Sequence, residues 1–266
     1  MMMLICPVCR SELFLDGRSL KCESRHCFDI ASEGYVNLAI GKSDSGDSPE
    51  MCRARHDFLN AGYYSPLSER IAHHIKKNDA KTVCDAGCGE GYYSRSIKAF
   101  LPSTDIVGFD LAKTSIKLAA KTEKGSSFPI TYAVAGIFDM PIRDECCDAV
   151  LSVFAPVPES EAHRILKDSG IMIVVHPGKN HLDGLKKLIY DNPYENDEKE
   201  LSFDGFEKLY DDRVSYSATI NKAHIPSLFL MTPYYWKTSK EDAEKLNSAL
   251  VLNTRLDFII SVFKKI

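Results

Sequence analysis

The chain has 266 residues, of which 44% are hydrophobic and 26% are charged, and its formal net charge is −4 at pH 7. This composition excludes a wholly disordered chain, and it shows no basic excess of the kind that marks a general nucleic-acid binder. The N-terminus lacks a charged stretch followed by a long apolar run, and no apolar run approaches the roughly 20 residues that span a bilayer, so we expect a cytoplasmic protein with no membrane partner.

Four potential metal ligands lie near the N-terminus. The nine cysteines are an odd number, which argues against a disulfide framework. The ligand set follows the spacing Cys6-x2-Cys9-x12-Cys22-x3-His26. Three thiolates and one imidazole form a closed tetrahedral set, which favours structural zinc over catalytic zinc. We therefore predict a zinc-binding module over residues 1–38, with Cys27 as an alternative fourth ligand and a metal-free hairpin of reduced, buried cysteines as the alternative to the whole site.

The connecting segment, residues 39–78, predicts a loop followed by two helices. Residues 41–50 have a loop composition, and they end with Asp47 or Ser48 as the N-cap of a helix whose first position is Pro49. The two helices are predicted over 51–59 and 67–77.

Strand-like and helix-like segments alternate from Lys81 onward, which is typical of a parallel sheet with helices on both faces. Five strands are predicted over 82–86, 105–109, 130–134, 149–154 and 171–176, with helices over 92–100 and 114–122. The tail predicts antiparallel sixth and seventh strands over 214–220 and 256–262, with helices over 222–230 and 239–249. The fold class predicted for residues 79–266 is therefore α/β, a Rossmann-like domain with a seven-stranded, mostly parallel sheet, in which the polar segment 182–212 is a substrate-side insertion or a flexible lid.

A glycine-rich turn follows the first of these strands. Its glycines, Gly87, Gly89 and Gly91, have the spacing Gly-x-Gly-x-Gly, whereas a dinucleotide fingerprint needs its third glycine one residue later. Together with Asp85 before it, the turn resembles the first motif of class I S-adenosylmethionine-dependent methyltransferases. In this interpretation the glycines let the backbone close on the cofactor, and Asp85 holds the amino group of the cofactor directly or through water. Asp110, at the end of the second strand, accepts the ribose hydroxyls.

Short stretches along most of the chain extend this resemblance. They are 6–9, 22–26 with 28–29, 33–38, 46–48 with 50–51, 61–67, 85–93, 155–156, 177–178 with 181–182, and 231–233. Together with the zinc module they resemble the 23S rRNA guanine-N1 methyltransferase family, whose members modify a hairpin loop near the ribosomal exit tunnel.

The resemblance implies methyl transfer from S-adenosylmethionine to N1 of a guanine in a hairpin loop of 23S rRNA. It implies a part for the zinc module in recognising that hairpin, and zinc ligation by Cys6, Cys9, Cys22 and His26. The cofactor contacts that it implies, besides Asp110, are Tyr64, Gly89, Glu90 and His181. Relatives divide between neighbouring positions in one loop and some confer macrolide resistance, so the particular guanine stays open.

The sequence identifies no catalytic base. Guanine N1 carries a proton at neutral pH, so a base or stabilisation of O6 should help, and His176 and Asp139 are candidates, although either could have only a local structural role. The target base must also be unstacked. Phe154 could hold it, as could Tyr234, Tyr235 or Trp236, although such aromatic residues are more often part of a core.

Two other functions compete with this interpretation. The same fold methylates small molecules, although that activity does not call for a zinc module. A non-catalytic, zinc-dependent factor that binds RNA or protein is the second alternative, and the intact Asp85, Asp110 and glycine-rich turn argue against it. A homodimer would offer one way to assemble a larger RNA-binding cleft.

Overall fold

The N-terminal module is a small antiparallel sheet. In the computed structural model, which describes residues 3–41, 47–127, 129–198 and 200–266, the module contains β1 (Phe14–Asp16), β2 (Ser19–Lys21) and β3 (Cys27–Asp29). The turn between β1 and β2 has two residues, and Gly17 occupies its first position with φ +63°, as a hairpin turn of the II′ type requires.

Two helices connect this module to the large sheet. They are α1 (Pro49–Asn60) and α2 (Ser65–Lys77). Ser48 is the N-cap of α1, and its hydroxyl accepts a hydrogen bond from the Met51 amide, which resolves the choice that the sequence left between Asp47 and Ser48. Asp47 instead pairs with Arg55 at 2.6 Å.

Within the described part of the chain, the large sheet has eight strands in the order β10-β11-β9-β8-β5-β6-β7-β4. The strands are β4 (Val36–Asn37), β5 (Thr82–Ala86), β6 (Asp105–Asp110), β7 (Thr131–Val134), β8 (Cys147–Val153), β9 (Leu166–Pro177), β10 (Phe206–Asn221) and β11 (Val251–Lys265). The last two strands are antiparallel to their neighbours, and the other six are parallel. The fold class is confirmed, with one strand more than the predicted seven.

The eighth strand comes from the N-terminal module. Val36 and Asn37 pair in parallel with Ala133 and Val134 of β7. Two residues carry no periodic signal that a sequence could reveal, so only the tertiary contact defines this strand. The module therefore continues directly into the edge of the large sheet.

The helices that cover this sheet are α3 (Tyr92–Phe100), α4 (Lys113–Glu123), α5 (Glu159–Ile165), α6 (Asp183–Ile189), α7 (Ile225–Leu230), α8 (Tyr234–Lys237) and α9 (Lys240–Glu244). Both faces of the sheet are buried, and one of the two core clusters also includes Leu4, Leu20 and Leu38 from the N-terminal region. Among the described residues, no helix is long and apolar enough to cross a membrane.

The polar segment 182–212 is more regular than the sequence predicts. It begins in α6 and ends in β10, which starts at Phe206 rather than near Val214. β10 is an edge strand with alternating burial, so its charged, solvent-facing residues conceal the strand pattern. Among the described residues, the irregular part is limited to about 190–198 and 200–205.

Candidate active site and metal centre

A cavity of about 1280 Å³ opens beyond the carboxyl ends of the parallel strands. This is larger than the roughly 300–1,000 Å³ of ordinary small-molecule pockets. Most of the predicted site residues line it, namely Tyr64, Gly87, Gly89, Glu90, Asp110, Asp139, Phe154, His176 and His181. Asp85 and Gly91 are not among the lining residues.

The glycine-rich turn forms one wall of this cavity. All three glycines have positive φ, from +55° to +80°, where an L side chain is strained. A Cβ at Gly87 would lie 2.7 Å from the Ala155 Cβ, whereas a Cβ at Gly89 would have no neighbour within 4 Å among the residues that the structure describes. Gly87 is thus required by packing, and the space beside Gly89 is open to a ligand.

Asp110 is fixed by the same turn. One carboxylate oxygen accepts the Gly89 amide at 2.9 Å and the other accepts the Ala112 amide at 2.7 Å. Burial raises the pKa of Asp110 above its ordinary value, although these two amides oppose the shift. The carboxylate lies at the end of β6 and lines the cavity, which suits a ribose contact.

Asp85 lies behind this wall. Its side chain is 2% exposed and accepts a hydrogen bond from Ser94 Oγ at 2.5 Å. Burial raises the pKa of this carboxyl to about 7. Any contact with a ligand in the cavity would therefore need a bridging group or a small movement.

Glu90 offers an unused acceptor. Its Oε2 bonds His56 Nδ1 at 2.7 Å and Arg95 at 2.8 Å. Its Oε1 is buried and has no hydrogen-bond partner among the described residues. A buried acceptor without a partner is costly. Glu90 lines the cavity, so a small movement of its side chain would bring this oxygen to a hydroxyl or amino donor of a bound molecule.

Tyr64 and His181 form a second polar pair with a defined proton arrangement. His181 Nδ1 accepts the Asp257 backbone amide at 3.2 Å, so its proton lies on Nε2, which donates to the Tyr64 hydroxyl oxygen at 3.3 Å. Burial lowers the pKa of His181 to about 3, which keeps the ring neutral. The Tyr64 hydroxyl proton is then available to a ligand.

These features fit S-adenosylmethionine. The turn provides open space beside Gly89, and Asp110 provides an acid at the end of the second strand. Glu90 Oε1 and the Tyr64 hydroxyl would provide one acceptor and one donor. Together they suit a ligand that carries ribose hydroxyls and an amino acid end.

Phe154 projects into the cavity from the end of β8. It is 45% exposed, and its backbone has φ +53°, which is strained for an aromatic residue. Its ring stacks on His181 with centroids 5.9 Å apart and an interplanar angle of 29°. The ring also packs edge-on against Phe258 at 5.9 Å, and its exposed part lies in the cavity next to the cofactor residues.

The three aromatic residues at α8 differ in their surroundings. Tyr234 is buried and lines the cavity, and Trp236 lines it while 66% exposed. Tyr235 does not line the cavity, and it packs on Phe229 at 5.8 Å. Tyr234 and Trp236 thus lie where the sequence interpretation needs them, and Tyr235 does not.

The two candidate bases have different environments. Burial lowers the pKa of His176, so the imidazole is neutral near pH 7. Asp139 is exposed, and its Oδ1 accepts a hydrogen bond from Arg10 of the N-terminal module at 3.1 Å. His176 can accept a proton, whereas Asp139 mainly joins two parts of the chain.

The potential metal ligands meet at one point. One ligand atom from each of Cys6, Cys9, Cys22 and His26 lies within 4.8 Å of the other three. The Cys9–Cys22 sulfur distance is 3.6 Å, and His26 Nδ1 lies 3.3 Å from Cys22 Sγ and 3.5 Å from Cys6 Sγ. Tetrahedral zinc with ordinary bond lengths requires about 3.8 Å between sulfurs and about 3.6 Å between sulfur and nitrogen. The arrangement fits zinc, and Cys27 is exposed and outside the group.

Sequence reasoning missed several residues around the cavity. His56 and Arg95 hold Glu90, Arg10 links the metal module to Asp139, and Asn196 connects three parts of the cavity wall. Each of these residues acts through a partner that is distant in the chain, so no local motif reveals it. The sequence indicated only that Asn196 lies in a polar segment.

The strand order, the glycine-rich turn after β5 and the acid after β6 define a class I, S-adenosylmethionine-dependent methyltransferase. Two family models agree, since residues 77–249 match a methyltransferase domain and residues 4–39 match the zinc-ribbon family described as RlmA, N-terminal.

Relatives extend the match over the whole chain. A Bacillus subtilis protein, YxjB, provisionally named a 23S rRNA (guanine-N(1)-)-methyltransferase, is 30% identical over 99% of this chain and 97% of its own. The 23S rRNA (guanine(748)-N(1))-methyltransferase of Streptomyces fradiae is 29% identical over 90% of this chain and 88% of its own. The chain belongs to the 23S rRNA (guanine-N1) methyltransferase family.

Proposed function

We propose that this protein transfers the methyl group of S-adenosylmethionine to N1 of a guanine in a hairpin loop of 23S rRNA. The observation that carries the proposal is the contact of the metal module with the cavity rim. Arg10 donates to Asp139 Oδ1 at 3.1 Å, and Ile5 donates its amide to the Pro141 carbonyl at 3.0 Å. A module at the mouth of an oversized cavity suits a macromolecular acceptor, and the relatives that share both halves are named for rRNA.

Zinc held by Cys6, Cys9, Cys22 and His26 would shape this module. So short a module buries too little apolar surface to fold alone, so the ion would contribute to its folding free energy. The ion would have no open coordination position, and its role would be structural. The module would then present its surface to the RNA hairpin next to the cavity.

Methyl transfer requires few chemical groups from the protein. When bound, S-adenosylmethionine supplies an electrophilic methyl group on a sulfonium sulfur. Tyr64, Glu90, Asp110 and His181 would orient the cofactor, and the exposed part of the Phe154 ring would stack on the unstacked guanine. The guanine N1 proton must leave, and the neutral imidazole of His176 is the acceptor that we propose.

The direct test is transfer of labelled methyl from S-adenosylmethionine to protein-free 23S rRNA from an unmodified source. We expect N1-methylguanine after digestion, and mapping the site would identify the nucleotide. Label that enters a small-molecule extract but not rRNA would contradict the proposal and favour the small-molecule alternative.

Trp236, the single tryptophan of the chain, allows a binding test that needs no turnover. Because its exposed ring lines the cavity, a synthetic 23S rRNA hairpin should change its fluorescence, and a duplex without a loop should change it less. Equal responses to both RNAs would argue against recognition of the loop at this cavity.

The proton acceptor can be tested separately. The variant H176Q should lower kcat strongly, and D139N should change it only a few-fold. A larger loss of kcat in D139N than in H176Q would indicate that Asp139 is the base. The acidic limb of the wild-type kcat profile should lie below the ordinary pKa of histidine, because burial lowers the pKa of His176.

An rRNA substrate would place the reaction in the cytoplasm. A second copy of the chain would extend the RNA-binding surface beyond one cavity mouth, and we include a homodimer in the proposal. Sedimentation with and without the hairpin would test it, and a monomer in both states would contradict it.

A further inference from the structure

Asn196 connects three parts of the cavity wall through its side chain. Its Nδ2 donates to the carbonyl of Gly178 at 2.9 Å and to that of His181 at 3.2 Å. Its Oδ1 accepts from Lys186 Nζ at 3.1 Å and from the Tyr234 hydroxyl at 3.3 Å. These four bonds use the full capacity of a carboxamide. An ammonium can only donate and a carbonyl can only accept, so the orientation of the amide is fixed.

The donor half of this network, formed by the two N–H groups of Asn196 Nδ2, holds the side of the cavity that carries the proposed cofactor contacts His181 and Tyr64. The residue segment 178–181 ends in His181, whose ring donates to Tyr64. The Asn196 backbone amide also donates to the Lys179 carbonyl at 3.0 Å. The segment is therefore attached to Asn196 at three carbonyls, and the position of the His181 ring depends on it.

The acceptor half holds the opposite side. Tyr234 is the first residue of α8, which carries Trp236 to the cavity. Lys186 of α6 is 1% exposed, and its ammonium lies 5.3 Å from the centroid of the Tyr194 ring. Asn196 Oδ1 is its hydrogen-bond partner among the described residues. A buried ammonium without an acceptor is costly, so Lys186 and Asn196 stabilise each other.

We propose that Asn196 is a positioning residue that holds the cofactor side and the acceptor side of the cavity in one fixed arrangement. Its two N–H groups set the place of His181, and its oxygen sets the place of α8. The identity of the acceptor rests on the proposed function, whereas the cofactor half does not depend on it.

The two halves can be separated by substitution. The variant N196D keeps an acceptor for Lys186 and Tyr234 but offers carboxylate oxygens to the carbonyls of Gly178 and His181, which cannot donate to it. The variant Y234F removes the link to α8 and leaves the donor half intact. Asn192 is exposed in the same segment, so N192A is the matched control.

Binding of S-adenosylhomocysteine, measured by calorimetry, is the first readout. The loss of two hydrogen bonds should weaken binding to N196D by about tenfold, with N192A and Y234F within about twofold of wild type. Nitrogen-15 spectra of the histidine rings should show a changed Nδ1/Nε2 pattern for His181 in N196D alone, with an H181Q variant used for assignment.

Turnover on protein-free 23S rRNA is the second readout. Y234F should lower kcat on rRNA while its cofactor affinity is preserved, and all variants should unfold within a few degrees of wild type. Unchanged binding by N196D, equal losses in N192A, or losses that merely follow the unfolding midpoint would overturn the proposal. If the wild-type protein binds S-adenosylhomocysteine but leaves rRNA unlabelled, only the rRNA assignment fails, and the comparison of N196D with N192A still decides the role of Asn196.

Discussion

The metal module and the methyltransferase sheet are stabilised in different ways. The small antiparallel sheet of the module has three described strands of three residues each, and four ligand atoms converge at one point. The sheet buries central strands such as β8 on both faces, and it covers them with helices. The first arrangement would depend on a metal ion in addition to the leucines that it buries against the sheet, whereas the second depends on the removal of apolar surface from water alone. If the module recognises the acceptor as we propose, loss of the metal should impair that recognition and leave the cofactor site intact.

Among the changes considered, removal of the metal should have the largest effect on transfer to rRNA. The variant C22S removes a buried ligand, so the module should lose zinc and transfer to rRNA should fall by about 100-fold or more. Binding of S-adenosylhomocysteine should change less than about threefold, because the proposed cofactor contacts Tyr64, Glu90, Asp110 and His181 all lie outside the metal module. Metal content, calorimetry and labelled transfer measure the three quantities.

The control for this experiment is C27S, because Cys27 is exposed and lies outside the ligand group. It should retain zinc and activity. A parallel loss of cofactor binding in C22S would show that the two regions unfold together, and loss of zinc in C27S would make Cys27 the fourth ligand.

A substitution at Phe154 tests the methyltransferase domain while the metal module is left unaltered. The variant F154A should lower kcat on rRNA by about 10–100-fold, because base–aromatic stacking contributes about 1–3 kcal/mol. Zinc content should not change. Single-turnover kinetics with saturating cofactor would measure the effect.

The matched control is F100A, since Phe100 is also about half exposed but lies at the end of α3, away from the cavity lining. It should leave turnover unchanged. If F154A changed only the affinity for the cofactor, Phe154 would support His181 rather than the guanine.

Asp85 gives a smaller, pH-dependent effect within the cofactor site. Burial raises its pKa to about 7 in the free protein, and a cofactor ammonium held nearby would lower that pKa again. Binding would then release a proton, and the affinity for S-adenosylhomocysteine should rise between pH 6 and pH 8, by less than about tenfold per pH unit. Calorimetry in buffers of different ionisation enthalpy checks this. A pH-independent affinity that D85N leaves unaltered would mean that Asp85 has no contact with the amino group.

The contact between the two regions should have the smallest effect on stability. Arg10 and Asp139 are exposed, with side chains 39% and 79% accessible, and such pairs contribute about 0–1 kcal/mol. The variant R10M should therefore change the free energy of unfolding by less than about 1 kcal/mol in urea titrations. It should raise the KM for rRNA a few-fold, and a KM equal to that of wild type would leave this pair without a part in recognition.

The sequence was most informative where local chemistry decides the structure. The glycine-rich turn, the strand before it and the helix after it were predicted with their boundaries, because positive φ and buried strands leave strong signals. The four clustered metal ligands were predicted from spacing alone. Their role as ligands, like that of the cofactor contacts, stays a prediction until metal and cofactor binding are measured.

The remainder depends on contacts between distant residues. The two-residue strand β4, the early start of β10 and the four bonds of Asn196 have no periodic pattern. The backbone strain at Phe154 is also invisible in sequence, since an aromatic residue at the end of a strand ordinarily has an extended backbone. These features follow from how the elements pack.

The strand β4 also protects the sheet. An uncovered β7 would expose a row of unpaired amides and carbonyls, and such edges pair readily with other chains during folding. Val36 and Asn37 occupy part of that edge, and β4 is too short to offer a long edge of its own. At the opposite edge, β10 is sixteen residues long and carries closely spaced charges such as Asp211, Asp212 and Arg213. Strand β4 of the metal module thereby protects one edge of the sheet from pairing with other chains, and solvated charges on β10 protect the other edge.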